Sequence, residues 1–204
     1  IKHSSSPKEC VHDAHVIILP LPYNSDDNVL NCPFSEKSFY ITDIVSNITE
    51  KQILFAGRAD SKLNALAKLY NVQLTDYANR EELAVLNSIP TIEGAIEIAM
   101  SKTPYTLHGS RSMVLGYGRI GKLLARSLDA LGSDVAVAAR KHSDIAWIKA
   151  AGYTPVHFKN LEEHIGNCDI IFNTVPVKIL NYKILSLISD TALIIDLASK
   201  PGGV

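Results

Sequence analysis

The chain has 204 residues, 47% of them hydrophobic, with 20 basic and 21 acidic side chains and a formal net charge of -1. That suits one large or two small globular domains, and the balanced charge offers no electrostatic ground for a nucleic-acid or anionic-membrane partner. No uninterrupted apolar run approaches the roughly 20 residues of a bilayer-spanning helix, and Cys10, Cys32 and Cys168 are too few and too scattered for a disulfide framework or a zinc site, so reduced thiols, no metal and a cytoplasmic location are expected.

The chain opens on Ile1 without a signal-peptide pattern and closes just past a strand, so it reads as a fragment or as a chain short at both ends. In chain order, AHVIILPLP is a strand stopped by Pro20 and Pro22, and 24–39 is loop-like. KQILFAG is a strand, DSKLNALAKLY a helix and VQLTDY a strand. Arg58 and Lys62 follow a strand and read as a solvated helix start. REELAVLNSI is a helix expected to stop before Pro90, and TIEGAIEIAMSKT a second one, with Thr91 placed to cap it and to open a connector between lobes.

From 111 the alternation is cleaner. RSMVL (111–115) is a strand; Ile120, Leu123, Leu124, Leu128 and Leu131 then recur at helical spacing up to Gly132. DVAVAA (134–139) is the next strand, and SDIAWIKAAG a helix with Ser143 as its expected cap. TPVHF is a short strand, NLEEHIG a helix opened by Asn160 and Glu163 in capping-box spacing, DIIFNTVP (169–176) a strand, NYKILSLI a helix, and ALIIDLAS (192–199) a strand. Continuous apolar strands alternating with helices belong to parallel sheets covered on both faces. The fold expected is therefore α/β with two α/β lobes, 1–104 and 105–204, the second a Rossmann-type doubly wound parallel sheet.

Gly116, Gly118 and Gly121 form G-x-G-x-x-G between a strand and a helix, the context in which that triplet binds a dinucleotide. The first glycine makes the tight turn, the second lets the backbone approach a pyrophosphate, and the third lets helix and strand pack closely. Arg119 and Ile120 lie at the helix start, whose amides face the phosphates. In the NAD-binding form an acid ends the second strand and binds the ribose 2′-hydroxyl. Here Arg140 stands there, followed by Lys141, His142 and Ser143. A guanidinium fork matches a 2′-phosphate, so NADP(H) is the expected cofactor; Asp144 serves the next helix's first turn. Thr174, Val175 and Pro176 end the fourth strand and Leu197, Ala198 and Ser199 the fifth, where they would border the nicotinamide half; a plain strand-ending turn is the other reading of each.

Four stretches, NSIPTIEGAIEIAM, YTLHGSRSMVLGYGRIGKLLARSLDALGSDVAVAAR, NTVP and LIIDLASKPGG, resemble the family of dipicolinate synthase A subunits. The resemblance runs from about Ile53 onward and is looser over the first 50 residues. It implies oxidation of dihydrodipicolinate to pyridine-2,6-dicarboxylate with hydride passing to NADP+, in sporulation, beside a flavoprotein-like second subunit; a homo-oligomer is left open. For a dianionic substrate, Lys200 is the expected carboxylate clamp, with Ser199 beside it and the Gly202 and Gly203 amides as a backbone nest. Ser88 and Thr91 would line the substrate cleft, and Glu93 and His108 are candidate bases for the ring proton. The alternatives are another two-lobed NADP-dependent dehydrogenase of a hydroxy acid or ring ketone, and a non-catalytic NADP-binding regulatory subunit.

Overall fold

The computed structural model describes residues 6–26, 28–199 and 202–203. They fall into two compact units, Ile1–Ala84 and Val85–Val204.

The first unit runs α1 (Pro7–His12), β1 (Val16–Ile18), β2 (Asn24–Asp26), β3 (Val29–Leu30), α2 (Ile41–Val45), β4 (Ile53–Ala56), α3 (Ser61–Leu69) and β5 (Gln73–Asp76). A helix α4 (Glu81–Leu86) follows at its boundary. Strands β1, β4 and β5 pair in parallel in that order. On β4 the inward residues Leu54 and Ala56 are fully buried while Ile53 and Phe55 are half-buried, the two-residue period of a strand with one face on the core. Val45 of α2 and Leu63 and Ala67 of α3 complete that core. The stretch read as loop holds the small antiparallel pair β2–β3. Helix α3 opens where expected because Asp60 accepts a hydrogen bond from the Leu63 amide at 2.9 Å.

The second unit comprises α5 (Ser88–Lys102), β6 (Arg111–Leu115), α6 (Arg119–Ala130), β7 (Asp134–Ala139), α7 (His142–Ala150), β8 (Thr154–His157), α8 (Leu161–Ile165), β9 (Ile170–Asn173), α9 (Tyr182–Leu185) and β10 (Leu193–Asp196). Its five strands are all parallel, in the order β10-β9-β6-β7-β8. One face packs under α5, α6 and α7 through Ile92, Ala95, Leu124, Leu128 and Ile148. The other packs under α8 and α9 through Met113, Leu115, Leu161, Ile165 and Ile184. Burial on both faces explains why β6 and β9 read as unbroken apolar runs.

Five local expectations differ from this structure. The helix break falls at Asn87, not at Pro90, which lies in the first turn of α5, where a missing N–H costs nothing. Thr91 is therefore inside the helix, its hydroxyl 3.4 Å from the Asn87 carbonyl, rather than its cap. Helix α5 groups with the second unit because Ile92, Ala95 and Ala99 enter the core shared with α6, so the division falls at 84/85 rather than 104/105. Helix α7 starts one residue before Ser143, with Lys141 in the cap position and no side chain capping it. Asn160 does occupy the cap position of α8, but its side chain makes no capping bond, because a 3-10 turn over Phe158–Asn160 leads into the helix.

The helical stretch Glu81–Lys102 is long and apolar enough to cross a bilayer by length and composition alone. That is weak ground for a membrane span, since α5 also places Ile92, Ala95 and Ala99 in the core and Glu93 and Glu97 on its exposed side.

The Leu63 amide bond holds the Asp60 carboxyl below its ordinary range against the opposing effect of desolvation. A depressed folded value adds stability above the unfolded value of about 3.9, and this is lost as pH falls through the folded one. Asp60→Ala should lower stability by about 1 kcal/mol at pH 7. Urea unfolding repeated at pH 3 should show the gap between variant and wild type shrinking.

Candidate functional site

After β6 the chain builds β7 and β8 outward on one side of the second sheet, then returns to place β9 and β10 on the other. The loops leaving β6 and β9 therefore diverge at the carboxyl edge of the sheet. Such a switch point is where open α/β sheets lodge ligands.

Gly116 follows β6 with φ at +101°, and a Cβ there would stand 2.6 Å from the Thr174 Oγ1 and 2.8 Å from a Val175 methyl. A Cβ on Gly121 would stand 2.2 Å from the Gly116 carbonyl oxygen. Protein atoms alone thus demand glycine at both positions. Gly118 is different: its φ is -84°, and a Cβ would meet no atom within 4 Å. Nothing in the protein requires glycine there, which leaves the space above it to something else. Gly118 is the cap residue of α6 and no side chain caps that helix, so its amino end presents backbone donors with the favourable end of the helix dipole.

The opposite wall is held by Asn173, fully buried at the end of β9. Its amide donates to the Val175 carbonyl at 3.1 Å and to Asp196 Oδ1 at 2.8 Å, and its oxygen accepts from the Val175 N–H at 3.2 Å. The Thr174 hydroxyl and amide both donate to the Leu115 carbonyl, at 2.8 and 3.0 Å. Asp196 also accepts from the Ala198 and Gly203 amides, both at 3.0 Å. Desolvation works to raise the Asp196 carboxyl, but the Gly203, Asn173 and Ala198 donors outweigh it and hold it below the ordinary carboxylate range. This network draws Thr174–Pro176 and Leu197–Ser199 to one edge, with Thr174 and Val175 against the glycine turn; Leu197 and Ala198 are half-buried and Pro176 and Ser199 exposed.

Arg140, Lys141, His142 and Ser143 lie exposed at the exit of β7. Arg140 borders a hollow of about 720 Å³ whose other walls include Phe158, Lys159, Glu162, Val175 and Val177. Glu162 is paired with Lys183 at 2.6 Å. The His157 ring stacks on the His142 ring, 5.5 Å between centroids, and its Nε2 lies 3.0 Å from the Arg140 carbonyl. Beside the glycine turn, Lys122 of α6 sits 5.3 Å over the Tyr117 ring, and desolvation together with the Asp144 charge pushes the Tyr117 hydroxyl up.

Several expected site residues fall elsewhere. His108 precedes β6 and packs its ring on Gly132, at the amino edge of the sheet. Five strand residues separate the edges, roughly 16 Å at about 3.3 Å per residue, so it is no base for chemistry at the glycine turn. Glu93 stands in a groove of about 310 Å³ beside Leu123, Arg126 and Ser127, along the flank of α6 rather than at its amino end. The Gly202 and Gly203 amides are no open nest, because they already donate to the Ser199 carbonyl and to Asp196. Ser88 is buried in the first turn of α5, while Thr91 is exposed. Lys200 lies outside the described residues. Sequence reasoning missed His157 and Asp196; the acid at the end of the last strand was the visible signal for the second, and nothing local marked the first.

The two glycine environments separate fold from ligand. Gly121→Ala should unfold the turn or lower the melting temperature by several degrees, because a backbone oxygen cannot retreat from a 2.2 Å contact. Gly118→Ala should leave the melting temperature within a degree or two and still weaken nicotinamide-nucleotide binding by about tenfold or more, read by calorimetric titration.

Comparison with known proteins agrees with this geometry. The family model for the N-terminal domain of the dipicolinate synthase A subunit matches residues 1–78, and that for the D-isomer specific 2-hydroxyacid dehydrogenase NAD binding domain matches 93–199. The dipicolinate synthase A subunit of Bacillus subtilis (strain 168) is 38% identical over 188 residues, covering 92% of this chain and 63% of that protein. The crystal structure of the dipicolinate synthase A chain from Bacillus subtilis matches with a TM-score of 0.84 at 38% identity, covering 93% of this chain and 64% of the other. Its counterpart from Bacillus halodurans matches with a TM-score of 0.85 at 31% identity, covering 95% and 67%. The chain thus spans a little under two thirds of the Bacillus subtilis relative and carries a dehydrogenase-type, nicotinamide-nucleotide-binding domain. With relatives matching through both units, it belongs to the family of dipicolinate synthase A subunits.

Proposed function

We propose that the chain is part of an NADP-dependent oxidoreductase that converts dihydrodipicolinate and NADP+ to pyridine-2,6-dicarboxylate, NADPH and a proton. It would act in the cytoplasm during sporulation, beside a flavoprotein-like second subunit. The relatives' name supports dipicolinate as the product. The cofactor choice rests on one observation: Arg140, rather than an acid, ends β7 beside the hollow, whose one lining carboxylate among those named, Glu162, is paired with Lys183. A planar fork binds phosphate bidentately, while a carboxylate would repel it. The uncapped amino end of α7 adds backbone donors at the same corner.

The residues present fit such a cofactor, and the open space at Gly118 is the clearest sign of it. The Gly116–Gly121 turn, with Arg119 and Ile120 at the start of α6, would hold the pyrophosphate. Arg140, Lys141, His142 and Ser143 would hold the adenosine end, and Thr174–Pro176 with Leu197–Ser199 would border the nicotinamide. When bound, the nicotinamide supplies the hydride acceptor. The protein's part is orientation and charge: Ser199 and Lys200, following β10, are our proposed partners for a substrate carboxylate, with Thr91 as a further polar contact. Formation of an aromatic ring drives the step, so placement of the two rings matters more than a strong base.

Nucleotide affinities test the cofactor reading. Wild type should favour NADPH over NADH, and Arg140→Glu should erase at least about 2 kcal/mol of that preference, a charged hydrogen bond plus new repulsion. An unchanged ratio would mean that the phosphate is read elsewhere. For the reaction, the full-length protein should generate pyridine dicarboxylate absorbance from dihydrodipicolinate. Failure both with and without its second subunit would remove the substrate assignment.

A further inference from the structure

We infer that His157 is a positioning residue that orients Arg140 and thereby sets the preference for a 2′-phosphorylated nucleotide; this rests on the NADP reading above. His157 is the last residue of β8, paired in register with Ala139, the last of β7. Beyond that pair the backbone ladder stops. The imidazole continues it, with Nε2 3.0 Å from the Arg140 carbonyl. Its other nitrogen accepts the Lys159 amide at 3.1 Å. An acceptor at Nδ1 leaves the proton on Nε2, so the ring is held in one neutral tautomer that donates to Arg140.

Stability does not call for this bond. Arg140 is exposed, and water would satisfy its carbonyl at little cost. What the imidazole supplies is direction. Fixing that carbonyl fixes the peptide plane between Arg140 and Lys141, and with it the exit of the guanidinium and the first turn of α7. The His142 ring, stacked on His157 from that turn, braces the same segment from its other side. A phosphate held by a guanidinium and helix amides needs these donors to converge, and ordering them in advance removes an entropic cost from binding. The effect falls chiefly on the 2′-phosphate, because the pyrophosphate and nicotinamide that NADH shares would be held away from this corner, at the glycine turn and at the exits of β9 and β10.

The test uses the full chain and the dissociation constants of NADPH and NADH for wild type, His157→Ala and His157→Gln, with melting temperature read alongside. His157→Ala should weaken NADPH about tenfold, the worth of one well-placed hydrogen bond, and leave NADH within about twofold. His157→Gln, whose amide can reach the same carbonyl, should restore most of the preference. Equal loss for both nucleotides, an unchanged ratio, or a glutamine variant no better than alanine would overturn the inference. If wild type itself shows no preference for NADPH, the cofactor reading falls and takes this with it. If wild type prefers NADPH and the alanine variant keeps that ratio, only the role of His157 is lost.

Discussion

The carboxyl edge of the second sheet depends on one buried amide. Asn173 reaches forward to shape Val175 and sideways to Asp196, so a single side chain couples the exits of β9 and β10. A buried amide left without partners costs about 1–3 kcal/mol, so the two loops have little freedom to move independently. Val175 in turn stands where a side chain on Gly116 would go, which ties the glycine turn to the same knot. Gly203 closes the arrangement by donating to Asp196 and accepting from Ile179 and Leu180. The edge is rigid because its polar groups spend their bonding capacity on one another. That is why the Gly203 amide, attractive as a ligand donor on paper, is already engaged.

The Arg140 corner obeys the opposite logic. Lys141 occupies a cap position that ordinarily holds an acceptor, and three basic or imidazole side chains crowd the positive end of a helix dipole. A segment selected only for stability would place serine or aspartate there. Local disagreement of this kind marks places where function overrides folding. An anion supplied from outside would resolve both the uncapped amides and the crowded cations, which is what the proposed 2′-phosphate does.

Legibility from sequence followed the range of the interactions. The alternation of strands and helices in the second unit, the glycine turn and the cation after β7 all rest on neighbours a few residues apart, and all lie where the residues suggested. The cap of α7 was misplaced by the attraction of Ser143, because a good capping residue in sequence cannot reveal that the chain has already turned helical one residue earlier. Pro90 misled in the same way: it forbids a helix interior but not a first turn.

His108, Glu93 and His157 show the deeper limit. Two histidines and a glutamate can each exchange a proton, and nothing in the sequence says which of them lies near the site. Strand direction put His108 at the edge away from the glycine turn, helix packing turned Glu93 along the flank of α6, and the pairing of β7 with β8 brought His157 to Arg140 from 17 residues away. The amino-acid sequence by itself determined the fold class, the nucleotide turn and the charge at its corner, because each is encoded by spacing within one strand–turn–helix unit. Only the tertiary structure decided which side chains share an edge, because sheet order and register arise from burying both faces at once and leave no mark on any single stretch of chain.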